Sequence, residues 1–190
     1  INGICYNCVS HFQFNNCKKR IRERVSVIEN GVSIPEKIPC RKDGGYALSI
    51  GRICPEKGFH LAIEASKRAD SPFVFAGRVY PYREHIDYFR KKIQPAIDSK
   101  ECVFVGEVGI AEKERLLRHA RCLLVPSLVE ETSSLVAMEA MAYGVPVIAF
   151  KAGALNEIIR HGENGYLVSD EKEMAEAISE IEKIDSERCY

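Results

Sequence analysis

From residue 46 onward, short apolar runs rich in β-branched residues alternate with stretches of amphipathic helical period. A parallel strand pair needs a long crossover, usually a helix, so this alternation predicts a parallel α/β sheet. Strands are predicted at 46–50, 72–76, 102–105, 122–126, 145–150 and 166–168, and helices at 59–68, 82–97, 111–121, 134–143, 154–161 and 171–184. Within 82–97, Ile86, Phe89, Ile93 and Ile97 recur at three- and four-residue steps, one face of a helix. Six such units make a doubly wound, Rossmann-like α/β domain.

The first 45 residues break this rhythm. Residues 25–28 read as a strand running into the Asn30-Gly31 turn, followed by Pro35, Pro39, Gly44 and Gly45. Residues 1–25 are expected to be a lead-in segment or the tail of a preceding domain, and 26–190 the principal domain. The chain opens at Ile1 and closes at Tyr190, just past a charged amphipathic stretch, so it is expected to be part of a longer protein.

Composition narrows the function. Lys plus Arg is 27 and Asp plus Glu is 27, a net charge of zero, which argues against a nucleic-acid-coating protein. The longest apolar stretch, 140–150, is broken by Gly144 and Pro146 and falls short of the ~18 residues of a membrane span. No signal-peptide pattern is visible, and a soluble cytoplasmic protein is expected. Eight cysteines include Cys5-x2-Cys8, with His11, Cys17 and Cys40 following. Structural zinc sites usually pair two such knuckles, and only one is present. Reduced thiols are therefore expected and no metal site, with most of Cys54, Cys102, Cys122 and Cys189 acting as small core hydrophobes.

Ligands of open parallel sheets bind beyond the carboxyl ends of the strands. The loops at 51–58, 77–81, 106–109, 127–134 and 151–153 are the candidates. In the first, Gly51 allows a tight exit from the strand, and Arg52 and Lys57 are two cations on a short loop. Held close, they suit a diphosphate, although two solvated surface cations would look the same. The loop has neither GxGxxG nor Walker A spacing. In the fourth, a helix starting near Ser134, capped by Ser133 or Ser134, would present free N–H groups to a phosphate. Glu139 is the only charge between Ser134 and Phe150 and lies one turn beyond Leu135. A carboxylate there suits a ribose diol, the alternative being a surface glutamate on a half-exposed helix.

Several blocks together resemble the retaining group-1 family of GT-B glycosyltransferases. They are Gly51-Arg52-x3-Glu56-Lys57-Gly58, Glu131-x7-Glu139 with Ala140 to Ala149, Asn156-Glu157-Ile158-Ile159, and Gly162 to Val168, preceded by Glu29-Asn30-Gly31-Val32. The resemblance covers residues 25–184 and implies the C-terminal, nucleotide-sugar-binding half of a two-domain enzyme. It implies that Arg52 and Lys57 neutralise the donor diphosphate in place of a metal, and that Glu131 contacts the donor sugar. It further implies that Thr132, Ser133, Ser134 and Leu135 offer backbone N–H groups, that Glu139 takes the ribose, and that Gly106, Glu107 and Val108 lie against the base. Thr132-Ser133-Ser134 stands where the family often has Gly or Phe, and Ala152-Gly153 replaces a commoner Gly-Gly. The acceptor and the usual catalytic histidine would belong to an N-terminal domain. None of His11, His60, His85, His119 or His161 matches that histidine, and His85 is the one nearest a candidate loop. Peripheral membrane contact of the full-length enzyme is compatible with the resemblance. The isolated fragment is expected to be inactive. A non-catalytic nucleotide-sugar-binding module and a GT-B nucleotide-sugar epimerase are the competing readings.

Overall fold

A computed structural model describes residues 4–36, 45–97 and 101–189. A short N-terminal unit contains β1 (Tyr6–Cys8), α1 (His11–Asn15) and β2 (Val25–Val27). There follow β3 (Tyr46–Ile50), α2 (Phe59–Arg68), β4 (Phe73–Ala76), α3 (Arg83–Tyr88), α4 (Gln94–Ile97) and β5 (Cys102–Gly106). The second half holds α5 (Ile110–His119), β6 (Ala120–Val125), α6 (Leu135–Ala142), β7 (Val147–Phe150), α7 (Leu155–Ile158), β8 (Gly165–Val168) and α8 (Glu171–Ser179).

Strands β3 to β8 form one parallel sheet in the order β5-β4-β3-β6-β7-β8. The chain steps outward from β3 to β5, then crosses back to the other side of β3 and steps outward again. This is the Rossmann order, and its reversal between β3 and β6 opens a crevice at the carboxyl ends of those two strands. Covered on both faces, the central strands are apolar nearly throughout rather than alternating. Leu48, Phe73, Phe75, Leu123 and Ile148 are fully buried, and α2 packs beside α8. Cys54, Cys102, Cys122 and Cys189 are all buried thiols, in line with their reading as core residues.

All six main strands and their helices stand where the sequence pattern puts them, with three helices ending early. Residues 120–121, expected in the helix after β5, instead open β6, where Ala120 pairs with Tyr46. The helix expected at 154–161 stops at Ile158, because Ile159 is extended and sinks into the core. The helix expected to reach 184 breaks after Ser179, and a separate 3-10 turn at Ile181–Lys183 buries Ile181. The helix expected at 82–97 is continuous but contains a π-turn at Phe89–Ile93.

The strand expected at 25–28 is present as β2. It pairs with β1 in a separate two-stranded parallel sheet. Ser10 caps α1 by accepting from the Gln13 N–H at 3.1 Å. The Glu157 carboxylate accepts the first N–H groups of α1, from His11 at 3.0 Å and from Phe12. Asn30 donates to the Ser133 hydroxyl at 3.0 Å, so this unit touches the loop after β6.

Candidate functional site

The loops after β3 and β6 meet at the switch point. Gly58 ends the first loop at φ +65, and a Cβ there would stand 2.1 Å from the Pro126 carbonyl oxygen. Only glycine permits this approach. The Leu128 N–H then donates to the Glu56 carbonyl at 2.8 Å, tying the two loops together.

Between them lies a cleft of about 370 Å³ whose lining includes Gly51, Lys57, Lys113, Glu131, Ser133, Ser134, Leu135 and Glu139. Glu131 is nearly buried. Its Oε1 accepts from Lys57 Nζ at 2.5 Å and from the Ser127 hydroxyl at 2.6 Å. Its backbone is fixed as well: the Ala154 N–H donates to the Glu131 carbonyl at 2.7 Å. Gly153, at φ +58, lies so close that a Cβ would stand 2.3 Å from the same oxygen. Of the Ala152-Gly153 pair, the retained glycine is thus the one the geometry requires.

Ser134 takes the cap position of α6, yet no side chain caps the helix. The expected hydroxyl cap is therefore not formed, and the Ser133 hydroxyl accepts from Asn30. The first N–H groups of α6 remain open toward the cleft, where the helix dipole favours an anion. One turn on, Glu139 faces the cleft as expected and is held by Lys113 of α5, Nζ to Oε1 at 2.5 Å.

Of the residues singled out in the sequence, Gly51, Lys57, Glu131, Ser133, Ser134, Leu135 and Glu139 come together on this lining. Arg52 and Thr132 sit exposed on the same two loops, beside the lining rather than in it. Gly106, Glu107 and Val108 lie at the end of the edge strand β5, beyond β4, with Glu107 paired to Arg78 at 3.7 Å. Sequence reasoning missed Lys113 and the anchoring role of Ser127. Ser127 falls inside a flagged loop, whereas Lys113 sits on a helix whose pattern marks only its buried face.

Cys8 and Cys17 lie Sγ to Sγ at 3.4 Å, Cys5 is exposed, and Cys40 falls outside the described residues. Among the described residues, one set of ligand-type side chains does converge: Cys54, Glu56 and His85, with ligand atoms within 4.8 Å of one another. Burial raises the Cys54 thiol pKa. The Glu56 carboxyl is held low by its own backbone N–H first and by Cys54 next.

The family described as glycosyl transferases group 1 matches residues 33–189. The chain belongs to the group 1 glycosyltransferases. An uncharacterized glycosyltransferase of Methanocaldococcus jannaschii is 31% identical over 176 residues, 92% of this chain and 48% of that protein. The lipopolysaccharide 1,2-N-acetylglucosaminetransferase of Salmonella typhimurium is 29% identical over 178 residues, 84% of this chain and 47% of that protein. This group 1 chain thus spans about half the length of the curated relatives it matches. Among solved structures, Anabaena HepE in complex with UDP-glucose superposes with TM-score 0.79 at 19% identity, covering 97% of this chain and 57% of that one. Sucrose-phosphate synthase from Thermosynechococcus elongatus gives 0.77 at 23% identity, covering 93% and 48%. The fold is that of the Rossmann-like GT-B glycosyltransferases, and the match over 33–189 is consistent with their C-terminal domain. Among the described residues, no helix is long and apolar enough to cross a membrane.

Proposed function

We propose that this chain is the donor-binding half of a retaining glycosyltransferase, which moves a hexose from a nucleoside-diphosphate sugar to an acceptor. The observation that carries the reading is the junction of Lys57, Glu131 and the uncapped start of α6 in one cleft at the switch point. Transfer breaks the bond between the anomeric carbon and the β-phosphate oxygen, and negative charge builds on that phosphate. In this reading Lys57, Arg52 and the first N–H groups of α6 stabilise that charge without a metal. Glu131, held by Ser127 as well as by Lys57, stays in place to accept sugar hydroxyls when Lys57 turns to the phosphate. Glu139 exchanges Lys113 for the ribose diol. The loop at Gly106 to Val108 takes the base in this reading.

The bound HepE structure supports a nucleotide-sugar ligand for this fold. Residues 1–25 are assigned to the junction with an N-terminal domain that brings the acceptor, so the fragment alone transfers nothing. Calorimetry with UDP, GDP and ADP tests the reading. At least one should bind, and Lys57→Ala, Arg52→Ala or Glu139→Ala should each weaken it by about tenfold or more, the worth of one charge-assisted hydrogen bond. No binding of any nucleotide, or unchanged affinity in all three variants, would overturn it.

A further inference from the structure

Outside the cleft lining, the loop after β3 faces α3, and there Cys54, Glu56 and His85 converge. Cys54 is 1% exposed and heads the 3-10 turn Pro55–Lys57, which places Glu56 two residues on. His85 reaches them from α3, which packs against that turn. The ligand atoms of the three lie within 4.8 Å of one another, close enough to share a single ion after small side-chain adjustments.

His85 is 8% exposed, and its Nδ1 has no hydrogen-bond partner, one of three such buried side-chain atoms among the described residues. Burying a polar nitrogen without a partner is costly, and an ion shared with a thiolate and a carboxylate would satisfy it. Sulfur, imidazole nitrogen and carboxylate oxygen together are a borderline-soft set. They suit Zn²⁺ rather than Mg²⁺ or Ca²⁺, which take oxygen ligands. Three protein ligands leave a fourth position to water.

We propose that Cys54, Glu56 and His85 form a zinc-binding clip that ties the loop carrying Arg52 and Lys57 to α3. The ion sits behind the loop, off the cleft, so it takes no part in the chemistry at the diphosphate and acts by stiffening the loop. Binding replaces the Cys54 thiol proton, which is released to solvent, by a sulfur–metal bond. The clip stands whether or not the cleft takes a nucleotide sugar, because its readout is metal binding alone.

Cobalt(II) is the probe, since a thiolate ligand gives it a sulfur-to-metal charge-transfer band that oxygen and nitrogen ligands do not. Titration of the whole chain should give a saturable band at one equivalent, displaced by Zn²⁺. Cys54→Ser should abolish the band. His85→Ala and Glu56→Gln should weaken cobalt binding by at least about tenfold, the lower bound for losing even an outer-sphere partner of a metal. Cys8→Ser and Cys17→Ser should leave the band unchanged. Glu56 is exposed and its substitution spares the core, so this variant decides the matter even if Cys54→Ser fails to fold. Absence of a saturable band, a band that follows Cys8 or Cys17, or full affinity in Glu56→Gln would each overturn the proposal.

Discussion

The two ends of the cleft carry the same ion pair at the same distance, yet they are built differently. Lys57 and Glu131 meet at 2.5 Å, as do Lys113 and Glu139. Glu131 has an 11% exposed side chain, a second donor in Ser127, and a backbone wedged against Gly153. Glu139 has a 28% exposed side chain and is held by Lys113 from α5. One end is anchored three ways and the other by one flexible side chain. A carboxylate that must keep its place through a reaction is served by the first design. One that must let go of its partner to take a ligand is served by the second.

If the buried end is built on the backbone, Gly153→Ala should be the most damaging single change. Its Cβ would meet the Glu131 carbonyl at 2.3 Å and the Glu131 nitrogen at 2.7 Å, at a left-handed φ. Strain and a displaced loop together predict a loss of about 2–4 kcal/mol, a size reached only by a named structural cause. Urea denaturation should show a lower midpoint with an unchanged slope. A loss under about 0.5 kcal/mol would mean that Glu131 does not depend on its backbone packing.

The next largest effect is the coupling within the buried pair. A double-mutant cycle on Lys57→Met and Glu131→Gln should give a stability coupling of about 1–3 kcal/mol, because contacting groups in one network are non-additive. Repeating the cycle in Ser127→Ala should change it, since Ser127 and Lys57 share the same carboxylate oxygen. A coupling indistinguishable from zero would place this pair in the same class as the outer one.

The contrast also explains what could be read in advance. The strands were legible because each is a short apolar run, and the site loops because parallel sheets bind ligands at strand ends. Glu139 was legible as the lone charge on an apolar helix, and Lys57 and Glu131 stood in loops already flagged. Their mutual pairing was not, since it joins residues 74 apart in the chain. Lys113 was harder still: on an exposed helical face every lysine looks alike, and only the third dimension selects one. Helix ends were misplaced where core burial took over from periodicity, as at Ile159 and Ala120. β1 escaped because it is three residues long and mostly exposed, with its pairing supplied by β2.

The smallest effect should lie at the outer pair, and it separates the two designs most cleanly. Both side chains of Lys113 and Glu139 reach solvent, so their attraction is offset by side-chain entropy and screened by salt. A cycle on Lys113→Met and Glu139→Gln should give a stability coupling below about 1 kcal/mol that fades in high salt, whereas the Lys57–Glu131 coupling should persist. Nucleotide affinity provides the sharper readout. If Glu139 must release Lys113 to take the ribose, Lys113→Met removes a competitor and should leave binding unchanged or tighter, although a cation near the ligand has been lost. A marked loss of affinity in Lys113→Met would instead make Lys113 a direct ligand of the phosphates, and the outer pair would then be a second cationic arm of the site.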